Sequence, residues 1–166
     1  PYAMAVIEEA LRFFTVMPLS LPRVTVKDIS YRNMFIPAGT TVVMNAYAAN
    51  HDASVYPQPH EFRPERWLDD AGKIDKHVPG HFLFGAGSRH CSGNNLAIKE
   101  IYTMVCRTVL LFQVRGPADP ACAMVLDPVE GNMCPSATAF EPRPFYVRLQ
   151  PRRGDLMEQL HAYVYS

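Results

Sequence analysis

The sequence predicts a mixed α+β fold, mainly helical, with two main helices, short β hairpins and a long irregular meander. Three observations lead there. Apolar residues recur at helical spacing near the start and again beyond residue 92, and short apolar runs flank a Pro-Ala-Gly-Thr turn. The chain's 15 prolines gather between those apolar segments. Hydrophobic residues make up 48% and charged residues 19% of the 166, which suffices for one domain with a core.

Residues 2–14 place Met4, Ile7, Leu11 and Phe14 on one face, so an amphipathic helix is expected. Neither a capping Ser, Thr, Asp or Asn nor a start methionine precedes it, so the sequence reads as a piece of something longer. Residues 15–22 (TVMPLSLP) form a proline-set extended connector. Residues 23–26, 34–36 and 41–44 read as strands. Pro37-Ala38-Gly39-Thr40 suits a type II turn with glycine in third place, so residues 34–44 are expected to be one hairpin. Asn45 caps a short helix running to residue 50. Residues 51–80 are irregular and proline-broken, and a structureless run of that length is usually functional. The longest helix is expected from Ser92 or Gly93 to Phe112, with Leu96, Ile101, Met104, Val105, Thr108 and Leu111 near helical period. Residues 113–115 and 145–149 read as strands, and the tail 155–166 as a weak surface helix or a fraying end.

Charge narrows the partners. Sixteen basic residues balance 16 acidic ones, which leaves nucleic acid or an acidic polymer no electrostatic handle. Cys91, Cys106, Cys122 and Cys134 form no CxxC pair and no secretory leader is visible, so a reducing intracellular compartment is expected. Cys106 reads as a core residue. No apolar run reaches the roughly eighteen residues a membrane span needs; residues 102–112 are broken by Arg107.

The densest signal is residues 84–93, Phe-Gly-Ala-Gly-Ser-Arg-His-Cys-Ser-Gly, with the pattern FxxGxRxCxG. A glycine-punctuated turn here delivers Cys91 to the start of an apolar helix. Helix N-termini carry partial positive charge and free N–H groups, which favour anionic sulfur facing a metal. Gly85 and Gly87 permit backbone angles closed to other residues, and Gly93 gives clearance in the first helical turn. Phe84 is placed to pack beside the sulfur and exclude water, and Arg89 offers a charged fork to a carboxylate. The plainer alternative, an inert buried cysteine, does not account for glycines and an arginine in this register. His77 and His81 are spaced i,i+4, but Pro79-Gly80 excludes a helix between them and no further ligand lies nearby, so no metal is expected there. Glu9 and Arg12 are neighbours on one helix face, and in isolation read as a solvated ion pair.

Residues 84–93 resemble the haem-binding loop of the cytochromes P-450 at every fixed position, and residues 59–67 (PHEFRPERW) resemble the segment in which that family closes a Glu-Arg-Arg triad. The resemblance covers residues 1–154 as the carboxy-terminal portion of such a domain, with 155–166 as a tail. It implies that Glu9, Arg12 and Arg66 lock the first helix to the meander. It further implies iron protoporphyrin IX (haem) with the Cys91 thiolate as axial ligand, Phe84, Gly85, Gly87 and Gly93 shaping the site, and Arg89 on a propionate. Arg23 reaches a second propionate or is a surface strand arginine. Residues 15–21 and 131–135 line the substrate side or are plain loops. Residues 95–102, 126–132 and 142–152 are similar to the fungal phenylacetate and hydroxyphenylacetate hydroxylase group. The implied activity is a monooxygenase acting on a small organic substrate with dioxygen. Electrons would come from an NADPH-cytochrome P-450 reductase-type donor, with Lys73, Lys76 and Lys99 either facing it or merely solvated. The whole protein is then expected at the endoplasmic reticulum membrane, through an amino-terminal anchor outside these residues. The distal helix with its acid-alcohol pair is missing too, so this piece is expected to be inactive and poorly soluble. Two alternatives remain: a non-catalytic haem-binding fragment, or a haem-thiolate enzyme that rearranges peroxides without a reductase.

Overall fold

The computed structural model describes residues 1–156 together with Glu158, Gln159 and Ala162. The tail helix expected over 155–166 lies largely outside the described residues. The first helix, α1 (Tyr2–Phe14), has the expected bounds and buries Ala5, Ile7, Leu11 and Phe13. It ends at Thr15, whose φ of 39° is left-handed and sterically costly for a β-branched residue. Two hydrogen bonds offset that cost: Thr15 Oγ1 donates to the Arg12 carbonyl (2.5 Å) and accepts from Asn50 Nδ2 (2.9 Å).

The strands depart from the expected hairpin. They are β1 (Arg23–Val24), β2 (Ile29–Tyr31), β3 (Met34–Ile36) and β4 (Thr41–Val42). β3 pairs antiparallel with β2 across the turn at Arg32 (φ 53°), and β4 returns to pair with β1. Residues 34–44 therefore form no hairpin of their own. The type II turn does form, with Gly39 at φ 81° and Thr40 N–H donating to Pro37 O at 3.3 Å. What it connects is two different ribbons. The missed strand is β2, whose Tyr31-Arg32-Asn33-Met34 turn closes a tighter hairpin than the one expected.

The short α2 (Ala46–Asn50) is capped by Asn45 Oδ1, which accepts from Ala48 N–H at 2.9 Å. The meander of residues 51–80 contains one 3-10 turn, Pro64–Trp67, and an isolated bridge between Leu68 and Ile74. α3 (Asn94–Leu111) runs into β5 (Phe112–Arg115), which pairs antiparallel with β6 (Arg148–Pro151). The second of these strands begins three residues later than expected.

The core sits where α1 meets the meander. Ala5, Tyr56 and Trp67 form a buried cluster, with Leu68, Ile74 and Val78 packed on it. α1 contacts both the Pro64–Trp67 turn and α3, but α3 buries none of its residues. Leu96, Met104 and Leu110 are exposed and Cys106 is only half-buried, so Cys106 is no core residue. Helix outweighs strand, as expected, although most described residues belong to neither.

Candidate functional site

Glu9 and Arg12 are both completely buried, which overturns the solvated-pair alternative. Arg12 clamps Glu9 through two parallel bonds, Nε to Oε2 (2.9 Å) and Nη2 to Oε1 (2.8 Å). Arg66 Nε donates to Glu9 Oε1 at 3.2 Å, so the structure brings the triad together. Two further donors reach the same carboxylate: Arg63 N–H on Oε1 (2.8 Å) and Trp67 Nε1 on Oε2 (2.9 Å). Burial alone would push the Glu9 carboxyl up. The bonds from Arg12, Arg63 and Trp67, with the Arg12 charge, outweigh it and hold the group below its ordinary value.

The arginines use their remaining N–H groups on backbone. Arg12 Nη1 donates to Asn50 O (2.8 Å) and Pro59 O (2.9 Å), and Arg66 Nη1 to Pro57 O (2.8 Å). A lysine has neither the fork nor enough fixed donors for this. The irregular meander is thus held by carbonyls wrapped around two guanidinium groups. That explains how a stretch with so little regular structure keeps one shape.

Three contributors were not visible to the sequence reading. Trp67 lies inside residues 59–67, but nothing in that motif gives its indole donor a partner. Asn50 is fully buried and joins three segments: Nδ2 to Thr15, Oδ1 to Phe82 N–H (2.9 Å), and its carbonyl to Arg12. A single asparagine at a helix end gives no signal of this. His81, considered above only as a metal ligand, places Nε2 3.2 Å from Glu8 Oε2.

The cysteine loop lies just past His81. Gly85 and Gly87 take left-handed φ of 80° and 65°, which L side chains rarely adopt, so both glycines are required by the backbone. Gly85 N–H donates to Phe82 O (3.0 Å), and Cys91 N–H closes the loop on Phe84 O (2.9 Å). It is the Phe84 carbonyl that bonds to Cys91, while the ring packs toward His81 and His90, with centroids 5.9 and 6.3 Å away. Cys91 is exposed. α3 starts at Asn94, so Gly93 precedes the first turn and does not lie in it. Its φ is ordinary, and an added Cβ would stand 3.7 Å from Cys91 Sγ, a normal contact. Among the described residues no clash makes Gly93 necessary.

β1 brings Arg23 to the same loop, where Nη2 donates to Arg89 O at 3.4 Å. Among the described residues, neither Arg23 nor Arg89 pairs with a carboxylate. A cavity of about 90 Å³ lies between Leu21, Arg23, Val42, Met44, Gly85 and Ala86. The connector after α1 also meets the later turn. Phe140 N–H donates to Val16 O at 2.7 Å, and a pocket of about 300 Å³ lies between Thr15, Leu19, Tyr47, Val129, Asn132 and Phe140.

With a glycine loop presenting an exposed cysteine, and a Glu-Arg-Arg lock behind it, comparison with known proteins becomes decisive. Residues 1–134 match the family described as Cytochrome P450, and the chain belongs to that family. It is 41% identical to phenylacetate 2-hydroxylase of Emericella nidulans over 92% of this chain and 29% of that protein. It is 36% identical to 3-hydroxyphenylacetate 6-hydroxylase of the same organism, over 91% and 28%. Tryptamine 4-monooxygenase of Psilocybe cyanescens is 32% identical, over 96% and 31%. The chain therefore spans under a third of the length of these relatives.

The family implies haem with cysteine thiolate ligation, and the residues present fit such a group. Among the described residues no three His, Cys, Asp or Glu side chains cluster to hold a metal. A single sulfur donor suits a metal that arrives with its equatorial ligands already in place, as in a porphyrin. Two guanidinium groups beside the sulfur's loop suit a ligand carrying carboxylates. Among the described residues no helix is long and apolar enough to cross a membrane.

Proposed function

We propose that residues 1–154 are the carboxy-terminal portion of a haem-thiolate monooxygenase, with 155–166 as its tail, acting on a small aromatic acid such as phenylacetate. The observation that carries this reading is the exposed Cys91 on a loop whose Gly85 and Gly87 are held left-handed. Cys91 would hold a haem through its thiolate, and the group would supply dioxygen activation there. The chain's own residues do the rest. Cys91 Sγ holds the iron, while Arg89 and Arg23 orient the carboxylates at the ligand's edge. Phe84 shields the sulfur side from water, and Gly85, Gly87 and Gly93 let the backbone approach a flat ligand. The connector at 15–21 and the turn at 131–135 form part of the substrate wall, a reading supported by the pocket between Thr15, Leu19, Val129 and Asn132. Electrons come from an NADPH-cytochrome P-450 reductase-type flavoprotein, which Lys73, Lys76 and Lys99 face from the exposed surface. The whole protein resides at the endoplasmic reticulum membrane.

The carbon monoxide difference spectrum of the reduced protein tests this. A thiolate-type band in wild type that is lost in Cys91→Ser is expected. A band unchanged by Cys91→Ser refutes the ligand assignment.

A second reading is favoured by the exposed apolar residues of α3. On it, this chain holds haem but does not turn over substrate by itself. Supplied with reductase, NADPH and phenylacetate, the haem-loaded chain then gives no hydroxylated product. Product formation overturns that reading.

A further inference from the structure

We infer that His81, oriented by Glu8, is a positioning residue for the cysteine loop, a second link from α1 that acts beside the Glu-Arg-Arg lock. Glu8 and Glu9 are adjacent on α1, and they reach in different directions. Glu9 takes the meander through Arg66, Trp67 and the Arg63 N–H. Glu8 takes the segment that enters the cysteine loop, through His81.

The geometry fixes how the imidazole is used. His81 Nδ1 accepts from Leu83 N–H at 3.3 Å, so that nitrogen offers its lone pair and the proton resides on Nε2. Nε2 then donates to Glu8 Oε2 at 3.2 Å. One imidazole ring thereby bridges a carboxylate on α1 and the backbone of the loop entry. The His81 side chain is only 5% exposed and the Glu8 side chain 22%, so water competes little for either bond.

The ring is also boxed in. It packs edge-on against Trp67, with centroids 6.3 Å apart, and tilted against Phe84 at 5.9 Å. Phe84 O accepts the Cys91 N–H that closes the loop. The path therefore runs from Glu8 through His81 to Phe84 and Cys91. Asn50 supports the same entry from the other side, its Oδ1 accepting from Phe82 N–H. Groups that orient a metal's ligand from behind typically change metal affinity 10- to 100-fold when removed.

The loop-positioning arm stands on the haem-free chain, while the haem arm rests on the proposed function. In the haem-free chain, hydrogen exchange at Cys91 N–H is expected to quicken about tenfold in Glu8→Met, which removes the acceptor, and in His81→Phe, as for loss of a positioning bond. Exchange in α1 and the thermal midpoint should stay near wild type. In the chain loaded with iron protoporphyrin IX, both variants should lose haem to excess apomyoglobin about tenfold faster. The double variant should do no worse than His81→Phe, because both act along one path. Unchanged Cys91 exchange in folded variants overturns the inference, as do additive effects in the double variant. If His81→Phe does not fold, Glu8→Met alone decides, since it keeps the approximate length of a partly exposed side chain and has no oxygen to accept from His81. Failure of the wild-type chain to take up haem overturns the proposed function and leaves the exchange result to judge the loop link.

Discussion

The two long helices of this chain contrast in what surrounds them. α1 buries four apolar residues and, between them, a carboxylate and a guanidinium with no exposed surface at all. α3 is longer but less apolar and less sharply amphipathic, and it fully buries none of its residues. Both sequences place apolar residues near helical spacing, but only α1 concentrates them on one sharp face. The difference is the partner. α1 faces the meander, which supplies donors to match its charges, while α3 half-buries Ile98, Ile101, Val105 and Leu111 and leaves Leu96, Met104 and Leu110 exposed. An apolar stripe states that a helix can be covered; a buried charge pair states that it already is.

Removing a charge from the α1 network should have the largest effect. Glu9→Gln leaves Arg12 buried without its counter-charge, and breaking a buried pair from one side typically costs about 3–5 kcal/mol. That is a large share of the stability of a domain this size. Urea unfolding followed by circular dichroism should show loss of the cooperative transition or a strongly lowered midpoint. Arg12→Lys should do nearly as badly, since lysine cannot hold both carboxylate oxygens.

Acid should reproduce that loss in the wild-type chain. The Glu9 carboxyl is held below its ordinary value of 4.5, so its contribution is complete above that pH and disappears as pH falls through the lowered value. His51 adds an earlier step. Burial pushes this imidazole below its ordinary value of 6.5, and its Nε2 is buried without a partner among the described residues. The unfolded chain therefore takes up that proton first, and stability begins to fall below about pH 6.5. Urea midpoints measured from pH 7.5 to 4 should decline in both ranges. In His51→Phe the decline attributable to His51 should vanish, and only the one below 4.5 should remain.

A smaller loss should follow from Trp67→Phe, which keeps most of the ring's packing against Ala5 and Tyr56 but deletes one donor to Glu9. An unsatisfied buried acceptor of this kind costs about 1–3 kcal/mol. Glu9 keeps four other donors, so the lower half of that range is expected. A change beyond 3 kcal/mol by urea unfolding would mean that the indole is part of the lock itself.

The same contrast explains how much of the fold and site was legible in the sequence. α1, α2 with its Asn45 cap, the type II turn and the triad were all readable, because each is written in local spacing or in a motif with fixed residue types. The β2–β3 pairing was not. Residues 29–31 carry no clear strand signal, and the choice of partner for Met34–Ile36 depended on a left-handed Arg32 that no spacing announces. The Glu8–His81 link was equally hidden, since it joins residues 73 positions apart that form no known pattern. Gly93 is a case of another kind: an added Cβ would meet Cys91 Sγ at an ordinary 3.7 Å, so contacts among the described residues do not account for the glycine.

The smallest effect is expected on α3, and it tests the comparison from the opposite side. Leu110 is 72% exposed, so Leu110→Gln removes little buried apolar area, and changes at such positions usually fall within about 0.5 kcal/mol. Glutamine is also as good a helix former as leucine, which leaves propensity neutral. Stability by urea unfolding should therefore stay at wild type. Self-association should fall, because Leu110 is one of several exposed apolar side chains of α3, with Leu96, Met104 and Val109. Light scattering at matched concentration reads that second effect independently of the first. If Leu110→Gln instead costs 2 kcal/mol or more, α3 has a packing partner in solution, and the two helices differ in which partner covers them and not in whether one does.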